Sequence, residues 1–184
     1  MSFIDPMSCI RTYTGIMFDP LNPDPELIDI VDIAHALSFL CRANGHFRNF
    51  YSVAQHCINC LEEAKARGHS RKVQMATLLH DASEAYLSDV TRPVKQEIPK
   101  YLEIEKPLQD LIWEKYLPAP LTEEEYDQVF AIDDAILYHE FVALMDMKLE
   151  PEEPKLLSKP VFAFADFAYY DRLFQDSFKE LYGK

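Results

Sequence analysis

Glycine is scarce in this sequence, since only 4 of its 184 residues are glycine, about 2% where proteins average roughly 7%. Sheet proteins with many tight turns use glycine freely at positive φ, so this scarcity favours helices. Apolar residues nevertheless make up 48% of the chain and aromatic residues 12%, which excludes a disordered chain. The length fits one domain with a packed core.

Positive charge is also in short supply. The chain has 18 Lys and Arg residues against 31 Asp and Glu residues, a formal net charge of −13. A protein that holds DNA or RNA by its phosphates needs a basic face, so we expect no nucleic-acid polymer as a partner. A small anionic ligand stays compatible with the composition if a metal ion or a buried arginine supplies positive charge locally.

Long apolar runs are absent as well. No run of about 18 apolar residues is available to span a bilayer, and residues 1–19 lack the basic and apolar regions of a signal peptide. We therefore expect no membrane partner and a cytoplasmic protein. Cys57 and Cys60 form a lone C-x-x-C inside a helical pattern, which is a weak zinc or redox signal. We interpret the four cysteines as reduced core or surface thiols.

Proline, glycine and capping residues divide the chain into helical stretches. Asn22-Pro23-Asp24-Pro25 ends an N-terminal arm, residues 1–25, because proline disfavours helix for the residue before it. Ser52 with Gln55, and Thr122 with Glu125, match the capping-box pattern. The pattern predicts helices over about 29–43, 52–68, 70–80, 101–116, 122–144 and 164–182, with loops over 87–100 and 150–160. We predict a single-domain, all-α bundle of five or six main helices, with its motifs in about 26–147.

Groups that bind metals or transfer protons are concentrated near the end of the third predicted helix. His80 and Asp81 follow the apolar run 75–79, and a buried charge must be neutralised, paired or bound to a metal. Glu84 lies four residues after His80, on the same helical face, and Asp89 follows. The alternative interpretation is a solvated helix end.

Two other helices each contribute an unusual polar residue. His56 lies on an apolar face, where a histidine is either a hydrogen-bonded core residue or a ligand. Asp133 and Asp134 interrupt an apolar periodic stretch, and the alternative is that one faces solvent while the other pairs with a lysine. Two histidines with two aspartates form a mixed N/O set suited to a divalent transition metal.

The order of these residues resembles the H…HD…D signature of the HD-domain metal-dependent phosphohydrolases, an all-α superfamily. The signature residues are His56, His80, Asp81 and Asp133. A second likeness, to the bacterial 5′-deoxynucleotidase branch, lies in His80-Asp81-Ala82-Ser83-Glu84, Asp89 and Pro93-Val94-Lys95. The segment from Asp32 to His56 is similar to a related bacterial and phage group of the same superfamily. The likeness covers roughly residues 22–145.

The resemblance implies a metal centre and its ligands. Asp133 is preferred to Asp134 because Asp133, Ile136-Leu137 and Glu140 match the superfamily's Asp-x-x-Leu-Leu-x-x-Glu register. The implied cofactor is one divalent ion (Mn, Co, Fe, Ni, Zn or Mg). The implied ligands are His56, His80, Asp81 and Asp133.

The resemblance also implies roles around the metal. Glu84, with Asp81, would be catalytic, Glu84 as the acid/base group. Asp89 would recognise the deoxyribose, and Arg42 would bind the phosphate. Lys95 and His46 are further candidates for substrate contact. Ala43 stands where the nucleotidases carry a tryptophan, and this departure leaves the substrate open.

These observations predict a metal-dependent phosphomonoesterase acting on a small nucleotide, most simply a (deoxy)nucleoside 5′-monophosphate. One alternative is a phosphohydrolase that acts on a nucleoside triphosphate or a cyclic nucleotide. Another is a helical module that binds a metal and a nucleotide as a sensor without turnover. A homodimer through the aromatic C-terminal helix remains an option.

Overall fold

The structure is a computed structural model that describes residues 8–183. Helices make up most of that range, and the all-α fold predicted from the sequence is confirmed. Six helices have eight or more residues, and two have four. The elements are β1 (Ile10–Arg11), β2 (Met17–Phe18), α1 (Ile30–Phe39), α2 (Val53–Ala66), α3 (Arg71–Leu78), α4 (Glu84–Leu87), α5 (Arg92–Lys95), α6 (Pro99–Tyr116), α7 (Glu123–Met145) and α8 (Phe167–Tyr182).

Local capping signals account for several helix starts. The Ser70 hydroxyl accepts the Val73 N–H at the start of α3, which agrees with the predicted helix. The capping box of α7 is confirmed, because Thr122 and Glu125 each accept the other's backbone N–H. Such boxes satisfy two backbone donors that the first turn leaves free.

At α2 only half of the predicted capping box forms. The Ser52 hydroxyl accepts the Gln55 N–H at 3.1 Å. The Gln55 amide does not return to Ser52 but donates to the carbonyl oxygens of Val161, at 2.9 Å, and Ala163, at 3.1 Å. Gln55 therefore holds the segment before α8 against α2.

Several helix boundaries differ from the prediction: α8, predicted from residue 164, begins at Phe167, and three other differences affect the fold. The first helix ends at Phe39 instead of residue 43, because the chain becomes extended at Leu40 and then makes a short turn over Arg42–Gly45. The helix predicted from residue 101 begins at Pro99 and continues through Pro107. Proline suits the first turn of a helix, since its missing N–H has no partner there.

The third boundary matters most for function. α3 ends at Leu78, so His80 and Asp81 lie in a turn before α4 and not on one helix with Glu84. Gln109 of α6 stabilises this buried turn by hydrogen bonds to its backbone. Its Nε2 donates to the Leu79 carbonyl at 2.8 Å, and its Oε1 accepts the Ser83 N–H at 3.0 Å. These bonds replace the helical ones that the turn gives up.

The short ribbon of β1 and β2 lies in the predicted N-terminal arm and was not anticipated. Ile10 pairs with Phe18, and Arg11 with Met17, in antiparallel register. Two residues per strand are too few for an alternating pattern to be recognised. Phe18 is fully buried against Tyr86, with ring centroids 4.1 Å apart, so the ribbon belongs to the core.

α2 is the central helix of the bundle. It packs against α1, α3, α7 and α8, and most of its residues are buried. Because only Glu62 and its last turn reach solvent, each buried polar side chain on it needs a partner inside the protein. No helix within residues 8–183 is long and apolar enough to cross a membrane, and all four cysteines are free thiols.

Glu63 shows how α2 meets this requirement. Its carboxylate accepts hydrogen bonds from the backbone N–H of Leu157 at 3.1 Å, from the N–H and hydroxyl of Ser158 at 2.8 and 2.6 Å, and from Arg67 at 2.8 Å. Burial alone would raise the pKa of Glu63, but these hydrogen bonds lower it to about 2. The carboxylate thereby fastens the segment between α7 and α8 to α2.

We predict that Glu63→Gln destabilises the protein by about 2 kcal/mol at neutral pH, since the new amide faces backbone donors. The lowered folded pKa means that this stabilisation is present above the unfolded value of about 4.5 and is lost as the pH falls towards 2. The difference in unfolding free energy between wild type and variant should therefore shrink over that interval. Urea denaturation at several pH values measures it.

Glu62→Gln is the matched control, because Glu62 is exposed and pairs with Lys65 alone. Its effect should stay within about 0.5 kcal/mol at every pH. Equal destabilisation by the two variants would contradict the anchoring role of Glu63.

Candidate metal centre

Three separate parts of the fold bring two imidazoles and two carboxylates together. α2 supplies His56, the turn after α3 supplies His80 and Asp81, and α7 supplies Asp133. His56 Nε2 lies 3.1 Å from both His80 Nε2 and Asp133 Oδ1. Asp81 Oδ2 lies 3.3 Å from His80 Nε2 and 3.6 Å from His56 Nε2, and Asp133 Oδ1 lies 3.7 Å from His80 Nε2.

Hydrogen bonds on the far side of each ring orient the two imidazoles. His56 Nδ1–H donates to Glu140 Oε1 at 2.6 Å, and His80 Nδ1–H donates to the Thr77 carbonyl at 2.7 Å. Carboxylate and carbonyl oxygens accept here, so Nδ1 carries the proton in both rings. Each Nε2 lone pair is then free to face the centre, as in metal-ligating histidines.

The spacing suits a single ion. Two donor atoms about 2.1 Å from one ion lie roughly 3.0 Å apart when they meet at a right angle, and the closest pairs here are 3.1 Å apart. Buried groups of His, Cys and Asp side chains at this position can hold a metal ion. A mixed nitrogen and oxygen set fits a divalent transition metal.

The two neighbouring aspartates of α7 have different surroundings. Asp133 faces the imidazoles, whereas the Asp134 side chain is 61% exposed. Arg92 of α5 bridges them, with its Nη2 3.2 Å from Asp133 Oδ2 and 2.6 Å from Asp134 Oδ1. The geometry therefore agrees with the choice of Asp133 over Asp134, and Arg92 is a contact that the sequence did not indicate.

Charge pairing dominates the protonation of this cluster. Burial would raise the pKa of Asp133, but hydrogen bonds from His56 and His80 hold that pKa well below its usual range. Burial would lower the pKa of His80, but Asp81 and Asp133 raise it well above 6.5. The attraction between the imidazoles and the carboxylates thus outweighs the effect of burial on these pKa values.

Glu84 carries a buried carboxyl oxygen that has no hydrogen bond within the described residues. Its side chain is 4% exposed, and its Oε2 makes no hydrogen bond within the described residues. Burial, and then the charges of Asp81 and Asp89, raise the pKa of Glu84 well above its usual range. A buried oxygen without a hydrogen bond costs free energy of folding. A ligand bound beside Glu84 would supply the missing hydrogen bond.

Two further predicted substrate residues lie near Glu84. Lys95 Nζ is 3.8 Å from Glu84 Oε1 and 2.6 Å from Glu105 Oε1. Burial raises the pKa of Asp89, while the charge of Arg42 opposes this shift. Asp89 follows Ser88, whose φ of +78° reverses the chain after α4. A serine in that region stores about 1–3 kcal/mol of strain, which is typical of functional sites.

Arg42 is nearly buried against the ligands. Its Nη1 donates to Asp81 Oδ2 at 3.1 Å and its Nε donates to Glu140 Oε2 at 3.2 Å. Its backbone N–H is bound to the Tyr51 carbonyl, while Ala43 and Asn44 both have a φ of 51°. Within residues 8–183 its Nη2 makes no hydrogen bond, so one donor is left for an anion.

His46 is the predicted site residue that the structure leaves outside the cluster. It is exposed on the loop after Gly45, and its side chain makes no hydrogen bond or ion pair with the described residues. A contact with substrate stays a prediction for this residue.

Sequence reasoning did not identify the thiols beside the centre. Cys60 Sγ lies 3.5 Å from His56 Nε2, and Cys57 lies close to His80 and Asp81. Burial raises the pKa of Cys57 to about 11. The position of Cys60, four residues after His56, is a signal that could have found it, because residues i and i+4 share one helix face. Cys57, one residue after His56, gives no such signal.

We predict that Asp133→Asn weakens Mn²⁺ binding at least about 100-fold, since it removes a charged oxygen from the centre. Asp134→Asn is the matched control, because it changes the adjacent carboxylate that faces Arg92 and solvent. Its Mn²⁺ affinity should stay within about threefold of wild type. Equilibrium dialysis with elemental analysis measures both, and equal losses in the two variants would refute the assignment of Asp133.

Comparisons with known proteins find similar proteins, and the two described here are both uncharacterized. No family model matches the chain. Uncharacterized protein YfdR of Escherichia coli K12 is 38% identical over 112 residues, which cover 60% of this chain and 59% of YfdR. An uncharacterized protein of Rhodobacter capsulatus is 39% identical over 122 residues, which cover 60% of this chain and 62% of that protein. The chain thus spans about three fifths of the length of each of these relatives.

Proposed function

We propose that this protein is a metal-dependent phosphohydrolase that acts on a small nucleotide, most simply a (deoxy)nucleoside 5′-monophosphate. One observation carries the proposal: the Nε2 atoms of two oriented imidazoles lie 3.1 Å apart, and each of two carboxylates has an oxygen within 3.7 Å of both, beside a Glu84 oxygen that has no hydrogen bond within the described residues. The resemblance to the H…HD…D signature supports the same chemistry.

The metal would be held by four side chains that fit a divalent ion. When bound, the ion supplies Lewis-acid activation of water and of the phosphoryl oxygen. Glu140 and the Thr77 carbonyl hold the two imidazoles in the ligating orientation. The ligands are His56, His80, Asp81 and Asp133, and the ion is Mn, Co, Fe, Ni, Zn or Mg.

Glu84 would act as the acid/base group. Its Oε2 is buried and free of competing donors, so it can hold or accept a proton at that atom. Burial first, and then the charges of Asp81 and Asp89, raise its pKa, so this carboxyl group holds a proton more readily than an exposed one and suits proton transfer. Lys95 Nζ lies 3.8 Å from the other carboxyl oxygen, Oε1.

Three cations near the centre would receive the phosphate. Arg42 keeps one donor free, Arg92 lies at the exposed side of Asp133, and Lys95 lies beside Glu84. Arginine suits bidentate capture of phosphate better than lysine. Asp89 is then available to accept a hydrogen bond from a sugar hydroxyl.

The second candidate function is a sensor that binds metal and nucleotide without turnover. Glu84 argues against it, because a purely structural metal site does not need an unpartnered buried carboxyl group beside the ligands. Triphosphates and cyclic nucleotides remain alternative substrates within the enzyme proposal.

The test is phosphate release from nucleoside mono-, tri- and cyclic phosphates with Mn²⁺, Co²⁺, Mg²⁺ or Zn²⁺. We expect release from at least one monophosphate, and we expect Asp81→Ala to lose both metal and activity. Full metal content and full activity in Asp81→Ala would refute the site. Bound metal with no release from any nucleotide would favour the sensor.

A further prediction separates catalysis from metal binding. Glu84→Gln should lower kcat by about 10²–10⁴-fold, because the amide cannot exchange a proton, while Mn²⁺ content stays at the wild-type level. Glu103→Gln on the exposed side of α6 is the control, and its kcat should not change. An unchanged kcat in Glu84→Gln would remove Glu84 from the mechanism.

A further inference from the structure

Aromatic rings from three parts of the chain form a continuous stack at the protein surface. The Tyr13 ring stacks on the His35 ring, with centroids 3.7 Å apart. The centroid of the Phe39 ring lies 4.7 Å from that of His35 and 4.2 Å from that of Phe167. The stack therefore joins the turn between β1 and β2, helix α1 and the first residue of α8.

A second pair of rings widens this surface. The ring centroids of Phe50 and Phe164 lie 6.5 Å apart, and Phe164 comes three residues before Phe167. The Val53 N–H donates to the Leu40 carbonyl at 3.0 Å, which holds the segment of Phe50 beside the end of α1. We call the surface that these rings form the aromatic face. Its residues are Tyr13, His35, Phe39, Phe50, Phe164 and Phe167.

The exposed area of the aromatic face is large for a monomer. Its five Phe and Tyr residues are between 38% and 65% exposed, which leaves roughly 500 Å² of aromatic surface in solvent at about 200 Å² per side chain. Monomers rarely expose a contiguous apolar patch of more than a few hundred Å². Each partner in a standard interface buries about 800 Å². The aromatic face is therefore large enough to form the centre of such an interface.

Charge distinguishes the aromatic face from the rest of the protein. Residues 12–18, 33–41, 49–55 and 160–165 include no Asp, Glu, Lys or Arg, although these types make up 27% of the chain. Charged residues are depleted and aromatic residues enriched at the centres of protein interfaces. A basic partner would bind the acidic surface of a chain with net charge −13, whereas that surface repels a second, equally acidic copy. Two copies meet with the least repulsion where charge is absent.

We propose that the protein forms a homodimer through the aromatic face. In a two-fold dimer the same patch of both copies meets itself, so the uncharged rings of one copy cover those of the other. The face includes only the first residue of the C-terminal helix, Phe167, and its larger part comes from α1 and the segments beside it. Neither a bound metal nor turnover enters the argument, so the dimer does not depend on the proposed function.

The experiment is sedimentation equilibrium of the full chain over a range of concentrations. We expect a species of twice the chain mass of 21.4 kDa. Phe39→Asp should raise the dimer Kd at least about tenfold, because it places a charge at the centre of the contact. Phe130→Asp is the matched control, since Phe39 and Phe130 are both 49% exposed and the ring of Phe130 stacks on Tyr126 of α7. A monomer at every concentration, or an equal loss in the two variants, would overturn the proposal.

Two further measurements keep the test independent of folding defects in Phe39→Asp. Phe164→Asp changes a ring that is 63% exposed and lies before α8, so it should weaken the dimer while the Tm of its monomer stays at the wild-type value. The second measurement is the salt dependence of the wild-type dimer. Its Kd should fall as NaCl is added, because salt screens the repulsion between two acidic copies. A Kd that rises with salt would identify a contact between opposite charges and would overturn the proposal.

Discussion

The centre depends on one buried carboxylate, that of Glu140. It is fully buried in α7 and accepts N–H groups from His56 at 2.6 Å and from Arg42 at 3.2 Å. An unpaired buried charge costs several kcal/mol, so these partners must stay together. The contact with His56 directs Nε2 to the centre, and the contact with Arg42 directs Nη1 to Asp81. One carboxylate thus fixes both a metal-binding nitrogen and a cation beside it.

This arrangement explains why the part of α2 that carries His56, residues 53–61, is buried on all sides. A helix with a solvent face could let its polar groups turn towards water, and the centre would lose its geometry. Here Gln55, Asn59 and Glu63 are all buried and hydrogen-bonded to the segment between α7 and α8. That segment covers α2 where no helix does. The polar residues of α2 therefore hold the segment between α7 and α8 against this helix, and they keep His56 in a rigid position.

The sequence predicted what local patterns control. The caps at Ser70 and Thr122 depend on residues three positions apart, and the choice of Asp133 depends on its register with Glu140 in one helix. The turn that carries His80 was predicted as helix, because Gln109, nearly thirty residues away, supplies the bonds that end α3. Periodicity contains no information on such distant partners. The interpretation of the cysteines as free core or surface thiols is confirmed, but the nearness of Cys57 and Cys60 to His80 is a tertiary contact that the sequence did not indicate.

The balance of charge around the centre argues for a bound cation. Seven carboxyl groups surround three basic side chains, and each basic side chain already contacts two of them. Burial and neighbouring acids raise the pKa of Glu84, because the carboxyl groups repel one another here. A divalent ion would offset part of that repulsion. A phosphate could then approach a protein of net charge −13, because the local field would be positive where the global field is negative. The acids are Asp81, Glu84, Asp89, Glu105, Asp133, Asp134 and Glu140, and the basic residues are Arg42, Arg92 and Lys95.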